Sequence, residues 1–84
     1  MPKVTIYSAT WCPWCQRVKE FLSQHKIKFQ EKDVESDPQA AHESIHKSGQ
    51  NGIPVIDIDG NIVVGFDEEK IRKFLKINHL DQHQ

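Results

Sequence analysis

Residues 7–18 read YSATWCPWCQRV, and the way this stretch is read decides the elements on either side of it. Upstream, residues 3–7 alternate, with Val4 and Ile6 on one face, which predicts a first β-strand. Downstream, Pro13 stands where a first helical residue would, because its fixed φ suits that site and its missing N–H is not needed there. Cys15, Val18, Phe21 and Leu22 then share one helical face, with Gln16, Arg17, Lys19 and Glu20 elsewhere. That spacing predicts a helix of about three turns ending near His25. The two cysteines therefore lie on a strand-to-helix turn, Cys12 at the N-cap and Cys15 at the third helical position.

The position of the pair sets its chemistry. Pro13 has no N–H to offer, so the N–H groups of Trp14 and Cys15 are the ones aimed back at the Cys12 sulfur. A thiolate at Cys12 is stabilised by those donors and by the positive end of the helix dipole. Cys15 lies one turn on and continues the apolar face of Val18 and Leu22, so it is expected to be the more buried, to keep its proton longer and to act second. An exposed attacking thiol with a resolving thiol in reach of its mixed disulfide is what a redox couple needs. Tetrahedral zinc needs four ligands, and the chain has no second cysteine pair. The competing reading is a non-catalytic module that holds copper(I), or an iron–sulfur cluster, through the CxxC. Small copper carriers of that kind run β-α-β-β-α-β, whereas this chain is expected to have three helices and to end in one. Trp11 reads equally as a core residue closing the end of the sheet or as part of the site. Trp14, on the outward side of the first turn, is expected to be exposed and to stack on a substrate's peptide.

The remaining chain supplies five more elements. Ile27 and Phe29 begin a second strand that runs toward Val34. Asp37 can cap a second helix, Pro38 fits its first position and Gly49 stops it. Val55, Ile56 and Ile58, an Asp59-Gly60 turn, then Ile62 to Val64 read as a hairpin. Asp67 caps a last helix, Glu68 and Glu69 suit its positive end, and Ile71, Phe74, Leu75 and Asn78 form its apolar stripe. The expected fold is α/β, a four-stranded mixed sheet with three helices in the order β-α-β-α-β-β-α. Helices 1 and 3 are expected on one face and helix 2 on the other, and the first crossover is expected to be right-handed.

At 84 residues the chain is expected to be a single domain over 1–84, with a frayed tail at 79–84. Hydrophobic residues make up 37% and charged residues 27%, as in a soluble globular protein. Eleven Lys and Arg against twelve Asp and Glu give a net charge of -1, which offers nucleic acid or an anionic membrane no basic surplus. The first ten residues carry neither a long apolar run nor a small-residue cleavage site, so the expected compartment is the cytoplasm. There an isolated cysteine pair is more often catalytic or metal-binding than a permanent staple. His42-Glu43-Ser44-Ile45-His46 matches the HExxH pattern of zinc proteases. The pattern fixes only three positions in a chain rich in His and Glu, and so short a chain has little room for a third ligand and a cleft. It is read as the solvated face of helix 2, and His25, His79 and His83 as surface residues.

CPWC on a β-α turn, Gly52-Ile53-Pro54-Val55 opening the third strand and Gly65-Phe66-Asp67 after the fourth together resemble the glutaredoxin-like members of the thioredoxin superfamily. The resemblance runs from Val4 to about Ile77, and is nearest to the short bacterial or archaeal glutaredoxin-like proteins. These are similar to the small redoxin that donates electrons to ribonucleotide reductase. The resemblance implies a thiol–disulfide oxidoreductase, a monomer that acts on disulfide-containing proteins, with a redox-active Cys12–Cys15 disulfide and no bound prosthetic group. It makes Cys12 the attacking and Cys15 the resolving cysteine, and Pro54 a cis-proline. Ile53 would offer its backbone to an extended substrate by strand addition. Trp11, Pro13, Trp14, Gly65 and Phe66 would line the substrate groove. Gln50, Asp67 and Glu68 stand where glutaredoxins hold glutathione, the acidic pair facing its amine, so glutathione enters as a co-substrate. Two departures weaken that part: Ala9 stands where many glutaredoxins carry a Lys, and Val64-Gly65 replaces a Gly-Gly pair. With the tryptophan-rich WCPWC, they favour a thioredoxin reductase over glutathione as reductant.

Overall fold

The structure, a computed structural model, describes residues 3–76. Its elements are β1 (Val4–Ser8), α1 (Pro13–Gln24), β2 (Gln30–Asp33), α2 (Pro38–Ser48), β3 (Val55–Ile58), β4 (Asn61–Val64) and α3 (Glu68–Leu75), the order expected from the sequence. The strands lie in the order β2-β1-β3-β4. β1 runs parallel to β2, and the other two pairings are antiparallel, placing Ile6 opposite Ile56 and Ile56 opposite Val63.

The period-two alternation of the strands sorts the core into two layers. Val4, Ile6, Ile56, Ile58 and Val63 point to the face covered by Val18, Phe21 and Leu22 of α1 and Ile71 of α3. Tyr7 and Val55 point to the other face and pack with Ala40 of α2. Because β1 lies between β2 and β3 under helices on both sides, all five of its residues are buried, where alternation alone accounts for only one face.

The terminators act as their chemistry dictates. Asp37 accepts the N–H groups of Gln39 and Ala40, and Gly49 closes α2 in the left-handed conformation at φ +74°. Asp59 and Gly60, both at positive φ, make the hairpin turn, and Gly60 N–H donates to Asp57 Oδ1 at 2.7 Å.

The second strand begins at Gln30 rather than Ile27. Lys26 takes a left-handed conformation after α1, and Ile27 N–H bonds Leu22 O at 2.9 Å, so Ile27 is spent on closing the helix. Ile27 and Phe29 pack against the larger core instead of pairing, which leaves the edge strand as the polar run Gln-Glu-Lys-Asp. Within α3 the stripe includes Ile71, Phe74 and Leu75. Asn78, His79, His83 and the tail 79–84 lie outside the described residues.

Candidate active site

The first turn of α1 is built around Cys12. Its backbone is extended, its N–H reaches Ala9 O at 3.3 Å, and its Sγ accepts Cys15 N–H at 3.2 Å. Of the two N–H groups expected to face the sulfur, Cys15's makes the bond, as an N-cap side chain reaching the third helical residue does. Pro13 is exposed at the first helical position. The expectation that Cys12 is exposed fails: it is 4% exposed, packed with Ala9, Cys15 and Ile53, because the loop before β3 folds over it. Cys15 is fully buried, and both cysteines are free thiols. Burial first, then the hydrogen bond with Cys12, push the Cys15 thiol up to about 12, outweighing the backbone at Ala9 and the Lys19 ammonium.

The opposite wall is made by two loops held together. The Ile53–Pro54 peptide is cis, Pro54 is buried, and Gly65 N–H donates to Pro54 O at 2.8 Å. Gly65 sits at φ +76°, a conformation that a side chain would strain. Phe66 follows and brings its ring 5.9 Å from Phe21 and 6.5 Å from Trp14. Trp14, 55% exposed, lies under the Arg17 guanidinium at 5.2 Å. The structure thus brings Cys12, Cys15, Trp14, Ile53, Pro54, Gly65 and Phe66 into one neighbourhood.

Four other expected residues are engaged elsewhere. Trp11 is 64% exposed and so is not a core residue; its Nε1–H donates to the Glu35 carboxylate. Gln50 is turned into its own loop, its amide donating to Ser48 Oγ at 3.0 Å and Gly52 O at 2.9 Å. Asp67 Oδ1 caps α3 by accepting Lys70 N–H. Glu68 Oε2 accepts Arg72 Nε–H at 2.9 Å and lies 2.7 Å from Arg72 Nη2. Arg72 was not singled out in the sequence, although its i,i+4 spacing from Glu68 was the available signal. Glu35, 24 positions from Trp11, gives no local signal at all.

The HExxH stretch is not wholly solvated. Glu43 is half-buried and accepts from the Tyr7 hydroxyl and Lys32 Nζ, each at 3.0 Å, while His42 and His46 are exposed. Among the described residues no group of three or more His, Cys, Asp or Glu is placed to hold a metal. No helix among them is long and apolar enough to cross a membrane.

Comparison with known proteins agrees with this geometry. The glutaredoxin family model matches residues 4–63. A glutaredoxin-like 8.6 kDa protein of Clostridium pasteurianum is 42% identical over 73 residues, covering 87% of this chain and 97% of that protein. Glutaredoxin 3 of Escherichia coli is 35% identical over 68 residues, covering 81% and 82%. The crystal structure of a glutaredoxin from Archaeoglobus fulgidus superposes with a TM-score of 0.82 at 25% identity, covering 90% of this chain and 88% of that one.

Proposed function

The chain belongs to the glutaredoxin family, and from that premise we propose that it is a dithiol–disulfide oxidoreductase in which Cys12 attacks and Cys15 resolves. The observation that carries this reading is the contrast within one helical turn. Cys12 Sγ sits at the N-cap with an N–H donor aimed at it, and Cys15 is fully buried with its thiol raised to about 12. The Cys12 thiolate attacks one sulfur of a substrate disulfide, forming a mixed disulfide and expelling the other sulfur as a thiolate that takes up a proton. Cys15 then loses its proton and attacks Cys12 Sγ, releasing the second substrate thiol and leaving a Cys12–Cys15 disulfide. An external dithiol reductant, or two molecules of a monothiol, returns two electrons and two protons. Ile53 and Pro54 beside Cys12 offer main chain to an extended substrate, so recognition is of backbone more than sequence.

The reductant in this reading is a flavin-dependent thioredoxin reductase in preference to glutathione. Capture of a small anionic thiol relies on a few charges, and those expected to supply them are missing or occupied. Ala9 is buried where a Lys would serve, Gln50 braces its own loop, and Glu68 is paired. The exposed faces of Trp11 and Trp14 instead suit a protein partner's apolar anchors. The protein acts as a cytoplasmic monomer, and its acceptors are disulfide-containing proteins, ribonucleotide reductase among them. The test compares reduction of insulin coupled to thioredoxin reductase with reduction of a mixed disulfide coupled to glutathione. Cys12→Ser is expected to abolish both, and Cys15→Ser to accumulate a mixed disulfide. Brisk turnover by glutathione with none by the reductase would reverse the preference, and activity surviving Cys12→Ser would end the mechanism.

A further inference from the structure

The second step of the proposed reaction requires a fully buried thiol to become a thiolate, and a cationic side chain starts one helical turn away. Lys19 follows Cys15 by four residues on α1, so the two are neighbours on the helix surface. A lysine on a helix ordinarily carries its ammonium out to water. The Lys19 side chain is instead only 20% exposed, and its Nζ lies 2.8 Å from Glu31 Oε2 of β2. The same oxygen accepts the hydroxyl of Ser8 at 2.7 Å, and Ser8 is fully buried at the end of β1. Ser8 stands two residues on from Ile6 and shares its face, the one that α1 covers. The cluster thus ties α1, β1 and β2 together immediately before Ala9, which packs with both cysteines. Lys19 first and Ser8 second hold the Glu31 carboxyl below its ordinary 4.5, against burial and the charge of Asp33. Glu31 therefore stays charged near neutral pH and keeps the ammonium in place. Of the pair, the ammonium acts the more strongly on the Cys15 sulfur, favouring the thiolate against burial and Cys12.

We propose that Lys19 is a positioning residue for the resolving step: held by Glu31 and Ser8, its ammonium supplies the positive field in which Cys15 gives up its proton. This rests on the dithiol reaction proposed above. In that step the Cys15–Cys12 bond forms and the bond from Cys12 to the substrate breaks. The electron pair leaves with the substrate sulfur, and the proton lost from Cys15 is balanced by one taken up there. Lys19 stays protonated throughout and exchanges no proton. It acts through Cys15 alone, by making the buried thiolate less costly to form.

The test is made in the Cys12→Ala protein, where Cys15 is the single thiol, and reads the rate at which uncharged iodoacetamide labels it near neutral pH. Adding Lys19→Met is expected to slow labelling about two- to fivefold, the scale of a partly exposed charge, and raised salt is expected to shrink the difference. A loosened fold would act in the opposite sense, because opening the site speeds the labelling of a buried thiol. Lys19→Arg, which keeps the charge and can still pair with Glu31, is expected to restore most of the rate. Lys47→Met breaks a lysine–aspartate pair on the other face of the sheet and is expected not to slow labelling. An unchanged or faster rate in Lys19→Met, or an equal slowing in Lys47→Met, would overturn the proposal. If Lys19→Met does not fold, Lys19→Gln, which keeps a donor for Glu31 without the charge, decides by the same criteria. A separate control treats the reduced parent with one equivalent of 4,4′-dithiodipyridine, which releases one thiopyridone on attack by Cys12 and another on resolution by Cys15. A parent that stops at the first release would count against the dithiol chemistry itself, and with it against both readings. Unchanged labelling in a parent that completes both releases counts against Lys19 alone.

Discussion

In the proposed reaction, Cys15 is the residue on which the order of the two chemical steps depends. Its thiol is pushed up to about 12 from an ordinary 9.0, with burial the largest cause and the neighbouring Cys12 the next. Near neutral pH a thiol at 12 is ionised in about one molecule in 10⁵, roughly a thousandfold less often than an ordinary one, and only the thiolate is alkylated. The informative perturbation is Cys12→Ala, which removes the hydrogen-bonding sulfur and leaves the buried site. Burial is the largest single cause and is untouched by the substitution, so the Cys15 thiol is expected to stay raised above its ordinary value. The assay is the rate of iodoacetamide labelling of Cys15 against pH, read by mass spectrometry, with the urea-unfolded chain as reference. The folded variant is expected to label at least about a hundredfold more slowly than the unfolded chain near neutral pH, with a rate still climbing beyond about pH 10. In the parent protein the first label is expected on Cys12. A plateau below about pH 9, or equal early labelling of both thiols in the parent, would refute the argument that burial sets the order.

Three further outcomes follow from pairs and caps away from the sulfur atoms. Lys47 Nζ lies 2.6 Å from Asp57 Oδ2; burial alone would raise the Asp57 carboxyl, but Lys47 and the Gly60 N–H outweigh it and hold it below its ordinary 3.8. A depressed carboxylate adds stability above its unfolded value that is lost as pH falls through the lower folded one. Lys47→Met is therefore expected to cost up to about 1 kcal/mol in urea unfolding at neutral pH, with the gap closing as the pH falls below the ordinary 3.8. Asp67→Ala removes the cap on Lys70 N–H and is expected to cost about 1 kcal/mol in the same assay, most of it recovered by Asp67→Asn. Replacing the exposed His42 and His46 together is expected to leave urea stability within about 0.5 kcal/mol of the parent and turnover unchanged by added zinc.

Those outcomes mark how far the sequence reaches. Pro13, Pro38, Asp37, Gly49 and Asp59-Gly60 each impose a local backbone state, and all appear in the structure where the residue types require. Val4, Ile6, Ile56 and Ile58 carry the sheet because alternation is a property of the strand alone. What the sequence conceals depends on partners distant in the chain. The burial of Cys12 comes from Ile53, the orientation of Trp11 from Glu35, and the anchoring of Glu43 from Tyr7 and Lys32. Ile27 and Phe29 mislead for another reason: apolar alternation before an edge strand serves a helix closure and a core contact as readily as a pairing. Gln50, Asp67 and Glu68 have the residue types of a ligand-binding set, yet each spends hydrogen bonds on its own chain, which only side-chain geometry reveals.

The two faces of the sheet are held by different forces, and that difference partitions the molecule's fluctuations. Among the described residues the layer under α1 and α3 is an apolar cluster of nine buried side chains, whereas the layer under α2 has three. α2 is fastened largely by Lys32–Glu43, Lys47–Asp57 and the Tyr7 hydroxyl, contacts that salt screens and acid weakens. Opening by detachment of α2 thus costs less than global unfolding and leaves the α1 turn that carries both sulfurs in place. Amide exchange along α2 is accordingly expected to quicken with ionic strength while that of α1 tracks global unfolding, so the α1 turn that carries both sulfurs is expected to outlast the loss of about a third of the helix among the described residues.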